Sequence, residues 1–345
     1  MFKGCYTALI TPMNEEGVDY SGLEKLVEFQ VSSGISGILA VGTTGESPTL
    51  DWDEHNNVIE RVYEYAKGKC GIIGGTGSNS TAETIIATKH AKECGVSAVL
   101  LVDPYYNGPS SLEIRREYLE PLAKSFPKTS IIPYIIPGRT GTQLSAQDLA
   151  MAYSKYPNIC AVKEATGDLG NMKLIRKCCG KEFDILSGDD DKTYDMMVDP
   201  DIKASGVISV VSNIAPRAVQ QMTEYLNKGD IEKGKELAKA LQPLFDTIVT
   251  AKTQEDTPYG TVMCKARNPL AVKTFMNIVG MPSGKLRQPL GKMTKKGIQV
   301  VLDAAKKVLA NNPEIFQPIQ DFFGVDMEER LNDTKYHKGL YYEKY

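Results

Sequence analysis

The chain has 345 residues, 42% of them hydrophobic and 24% charged, with a formal net charge of −3. That balance suits a globular protein whose apolar core needs no disulfide or metal to close it, and it carries no basic excess that would suggest a nucleic-acid partner. No apolar run nears the roughly 18 residues that span a bilayer, so no membrane partner is expected.

The predicted elements follow one another in a strand–helix alternation. Short apolar runs at 6–10, 37–41, 71–75, 98–102, 130–136, 159–163, 184–186 and 206–211 read as strands, with room between them for a crossover helix. The helices announce themselves by polar starts: Asp19-Tyr20-Ser21 before Leu23, Leu26 and Val27, and Ser80-Thr81-Ala82-Glu83 before Ile85-Ile86-Ala87. Strands apolar throughout and separated by helices imply a parallel sheet covered on its faces. Eight such units predict an α/β fold, a closed (β/α)8 barrel over 1–222; an open doubly wound sheet remains the alternative. After about 215 strand signals stop, and the spacing predicts an all-helical C-terminal domain over 223–312. Residues 313–345 read as an extra tail, partly helical or disordered, its last dozen residues solvated or loosely docked.

Four strand ends place reactive residue types directly after an apolar run. In Gly42-Thr43-Thr44-Gly45-Glu46-Ser47 the backbone could approach an anion closely. Asp103-Pro104-Tyr105-Tyr106-Asn107 offers two tyrosines that could equally be hydrophobic anchors. The third, Tyr134-Ile135-Ile136-Pro137-Gly138-Arg139, sets an arginine suited to a carboxylate in the loop after a buried strand; a loop arginine can also simply meet solvent. The fourth, Ile159-Cys160-Ala161-Val162-Lys163-Glu164-Ala165, is the most informative. Alternation puts Ile159, Ala161 and Lys163 on one face, aiming Lys163 into the barrel, where desolvation would free its amine as a nucleophile. A buried ion pair, or a strand end that already meets water, is the duller reading. Seven cysteines without repeated spacing and only three histidines (His55, His90 and His337) exclude a CxxC-type zinc site and a HExxH centre, so no metal is expected. The cysteine pattern and an N-terminus without signal-peptide order point to a cytoplasmic setting.

These segments, with Ser187-Gly188-Asp189-Asp190, Gly206-Val207-Ile208-Ser209-Val210 and Asn268-Pro269-x-x-Val272-Lys273, resemble in order the dihydrodipicolinate synthase/N-acetylneuraminate lyase superfamily over about residues 1–300. The Pro104–Asn107 segment and Arg139 resemble its synthase branch. The resemblance implies a class I aldolase, a lyase in which Lys163 forms an imine with pyruvate. Tyr134 would be the acid/base, with Thr43 and Tyr106 completing a proton relay, Tyr106 entering from a neighbouring subunit. Backbone groups around Thr43-Thr44 would hold the pyruvate carboxylate, with the Ile208 carbonyl lining the same pocket, and Arg139 would hold the carboxylate of L-aspartate-4-semialdehyde. The implied product, 4-hydroxy-tetrahydrodipicolinate, feeds diaminopimelate and lysine synthesis, without metal or organic cofactor. It also implies a homotetramer built from tight dimers, and an L-lysine inhibitor site at Ser47, Trp52, His55, Asn79, Glu83 and Tyr105; taken singly, His55 and Glu83 read as solvated helix residues. Two residues depart from the pattern: Ile135, where asparagine is usual, and Pro48 after Ser47. A pyruvate aldolase for another aldehyde, and a catalytically silent metabolite-binding relative, stay open as alternatives.

Overall fold

The computed structural model describes residues 2–345. Eight parallel strands, β1 (Gly4–Ala8), β2 (Gly37–Ala40), β3 (Gly71–Gly75), β4 (Ala98–Val102), β5 (Ser130–Ile135), β6 (Ala161–Glu164), β7 (Asp184–Ser187) and β8 (Gly206–Ser209), close into a barrel in chain order. The open sheet is thereby excluded. The seam between β1 and β8 depends on glycine: Gly4 and Gly206 pair in register, and a Cβ on Gly206 would lie 2.0 Å from the Gly4 carbonyl oxygen.

The outer helices are α1 (Tyr20–Ser32), α2 (Trp52–Ala66), α3 (Thr81–Glu93), α4, α5 (Ala146–Lys155), α6 (Leu169–Cys179), α7 (Thr193–Val198) and α8 (Pro216–Asn227). Here α4 comprises three contiguous pieces, Ser111–Glu113, the π-helical Ile114–Leu119 and Glu120–Ser125. Their starts are fixed by side-chain caps, as the sequence suggested. Asp19 accepts from the Gly22 N–H at 2.9 Å, Asp51 and Glu54 form a reciprocal capping box, and Ser80 accepts from the Glu83 N–H. Alternate strand residues divide into two layers. Tyr6, Leu39, Ile73, Leu100, Ile132, Leu186 and Ile208 fill the barrel, while Cys5, Ile38, Val99, Ile131 and Val162 meet the helices.

Beyond the barrel come α9 (Ile231–Ile248), a hairpin of β9 (Thr250–Thr257) and β10 (Gly260–Arg267), α10 (Leu270–Ile278), β11 (Met293–Thr294) and α11 (Lys295–Asn311). Because α8 runs to Asn227, we place the boundary between the two parts in the turn after it. The helices expected here form, but an all-helical region is corrected by the antiparallel hairpin between them. Residues after 312 form α12 (Gln317–Phe323), α13 (Met327–Asn332) and β12 (Tyr341–Tyr342), which pairs with β11. Phe322 and Phe323 meet Phe29 of α1 at 5.5 and 5.2 Å between ring centroids, and Phe316, Ile319, Met327 and Leu331 are fully buried. This segment is docked by aromatic contact to the barrel's first helix. Among the described residues, no helix is long and apolar enough to cross a membrane.

Candidate active site

The C-terminal ends of β5 and β6 lie side by side, with Tyr134 and Lys163 partners in register. Lys163 points into the barrel mouth, its Nζ 4.2 Å from the centroid of the Tyr134 ring, and both residues are buried. Ala161 and Ala165 share the inward face with Lys163, but Ile159 belongs to the outer layer because the strand starts only at Ala161. Glu164 points the other way, accepting from Asn171 of α6 at 2.9 Å and from Thr166. Space for the lysine methylenes comes from Gly188, where a Cβ would sit 2.7 Å from the Ala165 Cβ and 3.1 Å from the Lys163 Cε.

Two lysines are buried, and they differ in one respect. Lys273 is ion-paired to Glu46 at 2.6 Å, both side chains fully buried. Among the described residues no ion pair joins Lys163; Asp189 and Asp190 act on it only through their fields. Burial therefore dominates and lowers its pKa to about 8, against the opposing pull of those carboxylates. Asp190 is itself held up at about 6 by burial, though Ser209 and the Val210 N–H (2.9 Å) bond to it and so fix the end of β8. Burial also drives the Tyr134 phenol well above its ordinary range, partly offset by Arg139 and by a hydrogen bond with Thr43. At a pKa near 8 the Lys163 amine is still mostly protonated at pH 7, but a far larger share of it is neutral than in an ordinary lysine, and the Tyr134 phenol is intact.

A cavity of about 530 Å³ opens over Lys163, lined by Thr43, Thr44, Tyr134, Arg139, Gly188, Asp189, Val210 and Asn268 among others. Thr43 and Thr44 occupy a short 3-10 turn after β2, ended by Glu46 in the left-handed region (φ 59°). The Thr44 hydroxyl accepts from the Asn268 amide at 3.0 Å, and Arg139, exposed at the rim, donates to the Asn268 carbonyl at 3.0 Å. Asn268 closes this wall, a role its place in a motif did not disclose.

Thr43, Thr44, Tyr134, Arg139 and Lys163 are therefore brought together within one chain. Tyr106 is not: it is 90% exposed, with φ 77°, on the loop after β4. The Ile208 side chain lies in the barrel interior, and Val210 lines the cavity. The six residues of the implied lysine site fall into two patches. Ser47, Trp52 and His55 touch one another, with Ser47 Oγ 3.4 Å from His55 Nε2 and the Trp52 and His55 rings 4.9 Å apart. His55 is buried, correcting the solvated reading, and burial followed by the His90 charge lowers its pKa to about 4. Asn79 and Tyr105 line a separate pocket, and Glu83 accepts from the Ser78 hydroxyl at 2.6 Å. Ser47, Pro48 and Tyr105 together border a smaller cavity that shares Thr43, Tyr134 and Arg139 with the main one and so links the two patches. Ile135 belongs to the outer layer, so its departure from asparagine does not reach the cavity. One metal-type cluster exists among the described residues, Glu60, His90 and Cys94, with ligand atoms within 4.8 Å of one another. It lies between α2 and α3, where His90 already contacts the Asn56 carbonyl, and not at Lys163.

A buried primary amine at this pKa should react with a carbonyl in a pH-dependent way. Trapping of a carbonyl adduct at Lys163 is expected to speed up about tenfold per pH unit below 8 and to level off above it, because only the neutral amine attacks. A rate still climbing toward pH 10.5, where an ordinary lysine titrates, would show that Lys163 is not desolvated in solution.

Comparison with known proteins gives the same class of molecule. The model of the dihydrodipicolinate synthetase family matches residues 1–308. A protein of Trichlorobacter lovleyi named 4-hydroxy-tetrahydrodipicolinate synthase is 42% identical over 294 residues, covering 85% of this chain and 94% of that one. The solved 4-hydroxy-tetrahydrodipicolinate synthase of Methylacidiphilum fumariolicum SolV superposes with a TM-score of 0.82 at 34% identity, over 94% of this chain and all of its own. The Cyanidioschyzon merolae dihydrodipicolinate synthase, solved with lysine bound, gives 0.80 at 32% identity, over 89% and 98%.

Proposed function

The chain belongs to the dihydrodipicolinate synthetase family, and on that premise we propose that its barrel condenses pyruvate with L-aspartate-4-semialdehyde to 4-hydroxy-tetrahydrodipicolinate, on the way to diaminopimelate and lysine. The enzyme is a lyase. The observation that carries the catalytic assignment is the buried, unpaired Lys163 amine facing the Tyr134 phenol.

In this reading Lys163 Nζ adds to the pyruvate ketone, and the carbinolamine loses water to form the imine. Tyr134, coupled to Thr43, delivers the proton to the departing hydroxyl and recovers it later. The protonated imine accepts the electron pair released when the methyl carbon loses a proton, giving the enamine. That carbon attacks the aldehyde, forming the new carbon–carbon bond, and the aldehyde oxygen takes up a proton. The substrate's own amine then displaces Lys163 from the imine carbon, closing the ring and freeing the enzyme. Thr44 and the backbone beside it face the pyruvate carboxylate, with Arg139 toward the second carboxylate. Ile208 contributes only its backbone in this assignment.

The assay is turnover of pyruvate and the semialdehyde, followed by coupled reduction of the product. Absence of turnover by folded protein that still forms a borohydride-trapped pyruvate adduct would leave an aldolase acting on a different aldehyde.

The exposure of Tyr106 supports a site completed by a neighbouring subunit, in a homotetramer of tight dimers. We also assign L-lysine inhibition to Ser47, Trp52, His55, Asn79, Glu83 and Tyr105; two patches from one chain, doubled across a dimer, would supply the pocket. Millimolar L-lysine is expected to slow turnover in the wild type and to lose that effect in Glu83→Ala. Identical progress curves with and without lysine would remove the assignment.

A further inference from the structure

The β9–β10 hairpin has a charge pattern that its own stability does not explain. Lys252 and Lys265 are directly opposite one another in the antiparallel register, and Arg267 pairs with Thr250 one step nearer the barrel. Like charges facing each other across two strands are destabilising. Period-two alternation puts all four on one face, and all four line the cavity above Lys163. The opposite face carries Ala251 and Ala266, which are buried in the main core. The hairpin is therefore anchored by its small residues and turns its cations to the site.

These cations have no acid to answer them. Among the described residues no ion pair joins Lys252, Lys265 or Arg267, although Lys192, also on the wall, lies 3.3 Å from Asp191. Arg267 repels Arg139 across the same cavity. Asp189 and Asp246 are the other carboxylates on the wall. At the foot of β10, Asn268 is buried, donates its amide to Thr44, and leaves Oδ1 without a hydrogen-bond partner among the described residues. A cationic rim beside a buried orphan acceptor matches the two ends of an α-amino acid, whose carboxylate and ammonium need opposite partners.

We propose that the hairpin is the amino-acid subsite for the aldehyde substrate, with Lys252, Lys265 and Arg267 joining Arg139 on its carboxylate and Asn268 Oδ1 accepting from its ammonium. The inference rests on the functional reading above and adds a substrate-binding wall to it. Pyruvate, held lower down beside Lys163 and Thr44, does not use that wall. Specificity for an amino-acid aldehyde over an uncharged one then comes from the hairpin, not from the imine chemistry.

The test separates the two substrates in the full-length enzyme. Arg267→Ala, and separately Lys252→Met with Lys265→Met, should raise KM for aspartate semialdehyde at least about tenfold, the cost of one charge-assisted hydrogen bond. The pyruvate KM and the rate of borohydride trapping should stay within about twofold of wild type, which also shows that the variants are folded. L-homoserine, which keeps the amino-acid end but replaces the aldehyde with an alcohol, should bind the reduced pyruvate adduct of the wild type and bind these variants at least about tenfold less tightly. An unchanged semialdehyde KM, or equal losses for pyruvate, overturns the hairpin subsite. If the wild type fails to turn over the semialdehyde, the functional reading falls, and homoserine binding still decides the hairpin by itself.

Discussion

Lys163→Ala should abolish the condensation, lowering turnover on the order of 10⁴-fold or more, the scale on which loss of a covalent nucleophile is felt. On the proposed assignment Thr44 and the backbone beside it would still bind pyruvate, but neither they nor Tyr134 carries an amine that can form the imine. Intact-mass measurement after borohydride should find no pyruvate adduct on the variant and one per chain on the wild type. Lys163→Arg should be equally inactive, because a guanidinium keeps the charge without offering a free electron pair near neutrality. Neither result should come from unfolding. The Lys163 ammonium is desolvated and unpaired, so its removal deletes a buried charge, and the alanine variant should unfold at the same or a higher denaturant midpoint. An adduct persisting in Lys163→Ala would transfer the nucleophile to another lysine and sink the assignment.

The contrast between Lys163 and Lys273 also marks what a sequence can disclose. Lys163 was legible because it sits in a short apolar run whose alternation forces it inward; that the paired strand brings Tyr134 beside it is visible only in the fold. The barrel was legible for a similar reason: eight buried parallel strands must be apolar on both faces. Lys273 stands in a helix with no such pattern, and its partner Glu46 is 227 residues away, so only the folded chain reveals the pair. The hairpin was invisible because its strands, Thr250–Thr257 and Gly260–Arg267, bury little more than Ala251, Glu255 and Ala266. With so few buried positions the period-two signal vanishes, and the chain read as an interruption between helices. Phe322 and Phe323, upstream of the polar last dozen residues, find Phe29 on α1, a contact no local pattern encodes. For the site, residues supplied within strand ends were readable singly, whereas the Asn268 wall and the cations above it depended on where the hairpin docked.

Lys273→Met should be the most damaging single change to stability away from the catalytic lysine, costing about 3–5 kcal/mol, read as a fall in denaturant midpoint at unchanged slope. All three protons of its ammonium are used: Glu46 accepts at 2.6 Å, the Thr11 carbonyl at 2.9 Å and the Lys285 carbonyl at 3.2 Å. Burial, with a smaller push from the Arg287 charge, pulls its pKa down, and Glu46 opposes that pull, which marks the carboxylate as its main compensation. Removing the lysine leaves a fully buried Glu46 with only the Arg287 N–H, 2.9 Å from Oε2, to answer it. Adding Glu46→Gln removes the stranded charge, so the double variant should recover part of the loss and show strong non-additivity. The pair Arg287–Glu54, its side chains 27% and 23% exposed, is a suitable control; breaking it by Glu54→Gln should cost no more than about 1 kcal/mol, because water replaces much of what is lost. The buried pair should matter to turnover as well as to stability. Glu46 ends the turn that carries Thr43, and Thr43 lines the same cavity wall as Tyr134. Loosening Glu46 therefore frees Thr43, the far end of the proton relay proposed above, so Lys273→Met should lower kcat in protein that is still folded, whereas Glu54→Gln should leave it unchanged. Equal stability losses from the two variants would show that the Lys273–Glu46 pair is solvated in the working enzyme.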